Sequence, residues 1–298
     1  MRNLPARLIE TPHVPIMVQE AIHLLKISRA GTYIDCTVGY GGHARNILSQ
    51  LSINGNLIGI DRDKEAIKFC EKKLYAFNNV RFFHSSYSKI GEILSLSKIR
   101  KVDGMLLDLG MSSAQVDSKN RGFSYKIDSE LDMRYDITQE LKASDLINNS
   151  SQNELADIIY TYGEERRSRS IARNIYRMRP INSVQNLVEA IRISTPPNKR
   201  KKTLARVFQA VRIKVNNELH ILENFLANFY DHLSLGGRIV FICFHSLEDR
   251  IVKHGLKRLA LGKKMKILTK KPLIPSKEEL HTNSRSRSAK LRAAERIL

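Results

Sequence analysis

Tryptophan is absent from this chain, and cysteine occurs only at positions 36, 70 and 243, separations that suit neither a disulfide framework nor a metal cluster. A reducing, cytoplasmic setting is expected on that ground. Long apolar runs are missing as well. The longest strand-like run, Ile239 to Phe244, falls far short of the roughly 20 residues a helix needs to cross a bilayer. The opening Met1-Arg-Asn-Leu-Pro lacks the extended apolar stretch of a secretory signal. No membrane partner is expected. Acidic residues are scarce, 30 against 50 Lys and Arg, so the 298 residues carry a formal charge of +20.

The excess of positive charge is uneven. Residues 162–214 hold 14 basic and 3 acidic side chains, and residues 250–298 hold 15 and 3, whereas the rest is close to neutral. Two basic blocks flanking a neutral core suit a protein that grips a phosphate backbone, because neutralising phosphates releases counterions. General solubility is the plainer explanation.

From Val14 to Gly110, helical and strand patterns alternate: helices near 15–27, 42–52, 63–75 and 88–97, strands at 32–37, 57–61, 80–84 and 102–109. Such alternation predicts an α/β fold with a parallel sheet covered by helices. Runs such as Gly104-Met-Leu-Leu-Asp-Leu lack a polar face, as strands buried on both sides should. Between about 120 and 215 the pattern turns helical, including Glu154 to Tyr160 and Leu204 to Phe229. Leu235-Gly236-Gly237 is expected to end that run, and Arg238 to Phe244 to resume the sheet. The parent domain is therefore expected to be discontinuous, residues 1–120 and 215–298, around an all-α insertion at 121–214. From Lys263 onward, prolines and the run Asn283-Ser-Arg-Ser-Arg-Ser predict a tail that is mobile unless a partner or the protein's own surface holds it.

In an open parallel sheet the ligand lies beyond the carboxyl ends of the strands. After the first strand, Gly39, Gly41 and Gly42 let the backbone approach a ligand, and the helix start that follows offers unpaired N–H groups. Asp61 ends the second strand, where a carboxylate accepts both hydroxyls of a ribose. Asp63 reads as the N-cap of the next helix. Tyr87, after the third strand, is either a surface ring or one that lies against adenine. Asp108 ends a wholly apolar strand, where a carboxylate is costly to bury without a donor partner.

Several blocks sharpen this reading. Thr37-Val-Gly-Tyr-Gly-Gly-His, Asp108-Leu-Gly-Met-Ser-Ser with Gln115, Arg121-Gly-Phe-Ser, Leu131-Asp-Met-Arg134, Tyr162-Gly-Glu-Glu-Arg, Phe208-Gln-Ala-Val-Arg-Ile-Lys-Val-Asn, Phe244-His-Ser-Leu-Glu-Asp-Arg and Arg287-Ser-Ala-Lys-Leu-Arg stand nearly end to end. Together they resemble the bacterial 16S ribosomal RNA cytosine-N4 methyltransferases. The resemblance implies a class I, Rossmann-like fold using S-adenosylmethionine, with the helical insertion helping to recognise the small ribosomal subunit. Its implied target is a cytosine of the decoding region near the P site of 16S rRNA. Carried over by position, cofactor contacts fall on Gly41, Gly42, His43, Asp61, Tyr87, Asp108 and Gln115. Tyr87 stands where the family more often has Phe. Before Phe208 the family's His-Pro-Ala is replaced by Lys202-Thr203-Leu204, while Arg206 is retained.

The N4 amine of cytosine is a poor nucleophile, because its lone pair is delocalised into the ring. An acceptor on the amine, with nitrogen, methyl and sulfur held in line, is the expected device. Candidates are Asp108 or a backbone carbonyl of residues 109–112, with Ser112 and Ser113 shaping the loop and the base reached unpaired or flipped. Arg134, Arg285, Arg287 and Lys290 are candidate RNA contacts. His245 is placed to face the cleft, although Ser246 with Asp249 three residues later also matches a capping box for a helix through Leu259. Two alternatives stand beside methyl transfer: an NAD-dependent oxidoreductase, since a glycine turn plus an acid suits either cofactor, and a non-catalytic RNA-binding assembly factor.

Overall fold

Apolar runs that each lead into a helix build the sheet. The computed structural model describes residues 14–298, so the N-terminal segment read above for a signal lies outside the described residues. Strands β1 (Thr32–Asp35), β2 (Asn56–Asp61), β3 (Val80–His84), β4 (Val102–Asp108) and β5 (Leu233–Cys243) run parallel. Helices α1 (Val18–Leu25), α2 (Gly42–Gln50), α3 (Lys64–Lys73), α4 (Ile90–Leu96) and the short α5 (Ser113–Asp117) flank the first four. Two strands of the basic tail, β6 (Met265–Ile267) and β7 (Lys290–Arg296), complete a seven-stranded sheet of order β3-β2-β1-β4-β5-β7-β6, with β7 antiparallel to both neighbours. Chain order reverses between β1 and β4, so the crevice at their carboxyl ends is where a ligand belongs.

Side chains alternate across each strand and so build a core on both faces. Ile34, Met105, Leu107, Ile239 and Phe241 pack on one face with Leu222 and Phe225; Tyr33, Leu106, Val240 and Ile242 pack on the other with Leu25, Ile47 and Leu48. A third apolar cluster is drawn wholly from residues 123–215. It is built by α6 (Ala143–Asn149), α7 (Gln152–Gly163), α8 (Ser168–Arg177), α9 (Val184–Ile193) and α10 (Arg200–Asn216). The chain then returns through α11 (Glu218–Asn228), and after β5 adds α12 (Ser246–Leu261) and α13 (Lys277–Thr282).

Two local expectations are corrected, and the alternative left open for the tail is decided. The helical run from Leu204 to Phe229 is broken at Asn217, which is left-handed at φ 53°. The cause is tertiary: the Asn216 amide donates to Met133 O at 2.7 Å and accepts from Tyr135 N at 2.7 Å, which fixes the end of α10. Gly236-Gly237 do not stop the helix, which has already ended at Asn228. They lie within β5, where the register on β4 jumps from Val102↔Leu233 to Gly104↔Arg238 and Gly236 takes φ 75°. The tail is held by the protein itself, since Leu291, Ala293 and Ala294 are fully buried in β7.

Candidate active site

The turn after β1 is shaped by its glycines. Gly39 and Gly41 take φ 49° and 78°, conformations that side chains disfavour, and Gly41 serves as N-cap of α2 without any side-chain cap. The first N–H groups of α2 are thus left for a ligand. Asp61 locks the turn to β2, accepting from Gly39 N on Oδ2 and from Asp63 N on Oδ1, each at 2.8 Å. Burial pushes its carboxyl up to about 6, against those hydrogen bonds. Thr37 Oγ1 accepts from Asp108 N at 2.6 Å, tying the same turn to β4.

Beside the turn lies a buried group of unsatisfied polar atoms. His43 Nε2 stands 3.4 Å from Asp108 Oδ2, beyond hydrogen-bond geometry. Both ring nitrogens of His43, Asp108 Oδ1 and Asp35 Oδ2 are buried without hydrogen-bond partners. Burial lowers the basicity of His43, but the Asp108 and Asp35 carboxylates outweigh it and raise the imidazole above its ordinary value. Asp35 is only 1% exposed, and burial pushes its carboxyl up to about 7 although His43 opposes the rise.

Asp63 caps α3 as expected, accepting from Glu65 N at 3.0 Å. Its other oxygen accepts from Gln115 Nε2 at 2.9 Å and from Arg121 Nη1 at 3.2 Å. Gln115 also closes a capping box with Ser112, which starts α5 directly after the Asp108 loop. The Arg121 and Asp108 motifs are thereby fixed to β2 through one buried carboxylate.

Beside these groups lies a cavity of about 370 Å³, large enough for a nucleoside cofactor. Of the expected residues, Gly42, His43, Asp61, Tyr87, Asp108, Ser112, Gln115 and Arg285 line it. Tyr87 is buried, not a surface ring, and meets Phe225 edge-on at 5.4 Å. Gly41 supplies the turn behind the lining. Ser113 is buried within α5.

The basic candidates and the α12 cap are mostly engaged by acids of the protein itself. Arg134 forks onto Asp132 at 2.9 and 2.7 Å and donates to Ile137 O and Gln139 O, so it orders its own loop. Arg285 pairs with Asp117 at 2.5 Å, and Lys290 with Asp249 at 3.2 Å, the latter joined by Arg292 at 2.6 Å. Arg287 is exposed without a partner among the described residues. The capping box of α12 is shifted by one residue from the expected Ser246/Asp249 pair: His245 is the N-cap and Glu248 the third helical residue. Asp249 is drawn away by the two basic residues of β7. Ser246 and Arg250 instead grip Glu164 at the end of α7, at 2.8 and 3.1 Å. Thr203, at the departure from the family's His-Pro-Ala, donates to buried Glu165, which Arg206 also approaches at 3.5 Å.

Sequence reasoning missed Asp35, Tyr135, Arg212, Glu218 and Glu248, four of which line the cavity and the first of which adjoins it. Asp35 carried the signal used for Asp108, a carboxylate ending an apolar strand.

An open, mostly parallel sheet with an adenosine-type turn, a carboxylate ending β2 and an orphaned carboxylate oxygen of Asp108 in the cavity wall define a class I methyltransferase that uses S-adenosylmethionine. The residues present fit that cofactor, since the cavity wall offers its cationic end the unpaired Asp108 Oδ1, with the Asp35 carboxylate buried behind the wall. More narrowly, the chain belongs to the MraW methylase family, whose family model matches residues 10–297. It is 49% identical to the Ribosomal RNA small subunit methyltransferase H of Thermosipho africanus, over 98% of this chain and 100% of that protein. It is 47% identical to the protein of the same name from Kosmotoga olearia, over 96% and 97%. Family membership displaces the oxidoreductase alternative. No helix of the described residues is long and apolar enough to cross a membrane.

Proposed function

We propose that this protein methylates the N4 amine of a cytosine in the decoding region of 16S rRNA, near the P site, acting in the cytoplasm on the small ribosomal subunit. The observation that carries the reading is the cluster of buried, unsatisfied atoms on Asp35, His43 and Asp108 beside the glycine turn. Leaving such atoms unpaired costs roughly 1–3 kcal/mol each, and a cationic ligand in the cavity would recover that cost at the Asp108 oxygen. S-adenosylmethionine supplies the methyl group. Gly41, Gly42 and His43 present the backbone to it, Asp61 accepts from its ribose, Tyr87 borders its base, and Asp108 holds its cationic end. Gln115 borders it from the cavity wall and also holds Asp63, and so the Asp61 turn.

The state of the thiols supports an exocyclic amine over a ring carbon as the target. Methylating a pyrimidine carbon requires a nucleophile that adds to the ring, and cysteine is the usual one. Cys36 borders the cavity, but burial and then the neighbouring Asp35 push its thiol well above the ordinary range. Cys70 and Cys243 are buried and similarly raised. An amine needs only positioning and an acceptor.

The segment at 121–214 serves as the recognition domain, set into a methyltransferase domain of residues 1–120 and 215–298. Arg166, Arg169 and Arg173 beside and on α8, with Lys199, Arg200, Lys201 and Lys202 at the start of α10, are exposed and without acidic partners among the described residues. Such a face suits RNA phosphates. Small subunits from cells lacking the protein, incubated with methyl-labelled cofactor and digested to nucleosides, should yield labelled N4-methylcytidine. Label only in other nucleosides, or none, would refute the proposal and, in the second case, favour the non-catalytic assembly factor.

A further inference from the structure

The cavity holds a second polar cluster, away from the glycine turn in sequence. Tyr135 comes from the loop before α6, Arg212 from the end of α10, Glu218 from the start of α11 and Glu248 from the first turn of α12; His245, expected to face the cleft, stands behind Glu248 and is not part of the lining. Arg212 forks onto Glu218 at 2.8 and 3.0 Å. His245 Nδ1 accepts from Glu248 N at 3.3 Å, which assigns the neutral ring's proton to Nε2. That Nε2 lies 3.1 Å from Glu248 Oε1 without the angle of a hydrogen bond, and counts among the buried atoms with no partner. The Tyr135 hydroxyl is buried and unpartnered too, on a ring stacked against Phe123 and held through its backbone N–H by Asn216.

The cavity wall thus offers an unused donor on Tyr135 together with the Glu248 carboxylate. A metal ion is a poor occupant: although Glu218, His245 and Glu248 bring ligand atoms within 4.8 Å of one another, the Arg212 guanidinium occupies both Glu218 oxygens. An aminopyrimidine edge fits better, since it presents an amine donor beside ring and carbonyl acceptors. Resting on the methylation reading above, we propose that this cluster reads the target cytosine, with Glu248 Oε1 as the acceptor of its N4 amine and Tyr135 as a donor to its ring edge.

Glu248 suits the task. Its Oε2 is held by Phe244 N at 2.8 Å, which fixes the carboxylate and leaves Oε1 free to act. Burial works to raise its pKa, but His245 and Arg212 outweigh it and hold the carboxyl below the ordinary carboxylate range. A hydrogen bond to Oε1 draws the amine lone pair out of conjugation. The lone pair forms the nitrogen–carbon bond as the pair of the carbon–sulfur bond returns to sulfur. The nitrogen then bears one proton too many, and Glu248 Oε1 takes it, restoring a neutral methylated amine. Asp108 remains with the cofactor, so the two carboxylates divide the work.

The test pairs two variants with two readouts, S-adenosylhomocysteine affinity by calorimetry and single-turnover methylation of small subunits. Glu248→Gln keeps an acceptor for the Phe244 amide but loses the charge. Tyr135→Phe removes a hydroxyl with no protein partner, so it folds as the wild type does. Both should bind S-adenosylhomocysteine within twofold of wild type, while turnover falls at least 100-fold for Glu248→Gln and about 10-fold for Tyr135→Phe. Asp108→Asn should instead weaken S-adenosylhomocysteine binding at least tenfold. Wild-type turnover in both cluster variants would overturn the proposal, and so would a tenfold loss of S-adenosylhomocysteine affinity in both, which would assign the cluster to the adenine. A wild-type protein that binds the cofactor product yet methylates no small subunit would overturn the underlying function instead, and the proposal with it.

Discussion

Replacing Asp35 by asparagine should stabilise the folded protein at pH 8 while loosening its hold on the cofactor. The side chain is 1% exposed, one of its oxygens has no partner, and its other accepts a long 3.3 Å hydrogen bond from Thr37 N. Its carboxyl is pushed from 3.8 up to about 7, chiefly by burial, with His43 opposing and Asp108 and Asp61 assisting. Because the folded value lies above the unfolded one, this group favours folding only while protonated. That contribution is complete below pH 4 and disappears as the pH rises through 7. A rise of about 3 units corresponds to about 4 kcal/mol at pH 8, an upper bound because an amide does not fill the site perfectly. A gain of about 2–4 kcal/mol raises the unfolding midpoint by about 5–10 °C in a protein of this size. At pH 5 less than half of the gain should remain. Thermal unfolding of both proteins at the two pH values, with S-adenosylhomocysteine titrations beside them, measures both effects. A variant less stable than wild type at pH 8, or one that binds S-adenosylhomocysteine equally well, would refute the argument that this carboxylate is kept charged for the ligand at a cost in stability.

Asp61→Asn should lower S-adenosylhomocysteine affinity about 100-fold by calorimetry, about 2–3 kcal/mol for a charged acceptor of two hydroxyls; a loss under threefold would move the ribose elsewhere. Gly122→Ala should destabilise by more than about 2 kcal/mol in urea unfolding, because Gly122 has φ 70° and an added Cβ would sit 2.7 Å from Glu130 O. A change below about 0.5 kcal/mol would show that the loop shifts freely. Reversing Arg169 and Arg173 to glutamate, one turn apart on α8, should weaken small-subunit binding and reduce its salt dependence by about two counterions. Unchanged salt dependence would place the RNA on another face.

The glycine turn, Asp61 and Asp108 were legible because an unbroken apolar run marks a parallel strand buried on both faces, and the first glycine or carboxylate after it marks its end. The same logic applied to Asp35 and was not followed, since Asp35 sits before the turn. What lay beyond reach depended on distant partners. Ser246 with Asp249 and His245 with Glu248 are equally spaced, and only the pull of Lys290 and Arg292 on Asp249 selects the second pair. The break at Asn217 leaves helical periodicity nearly intact, because its cause is the loop carrying Met133 and Tyr135. The basic tail reads as mobile by composition, yet alternation at Leu291 and Ala293 was enough for β7 to pair with β5. Arg212 and Glu218 lie on opposite sides of the break, so their ion pair was invisible until the break was seen.

Nucleoside mass spectrometry of 16S rRNA from cells with and without this protein tests the central claim most directly. N4-methylcytidine from the decoding region should be present in the first and missing from the second, and should return with the wild-type protein but not with Asp61→Asn. The same amount of N4-methylcytidine in both would contradict the account.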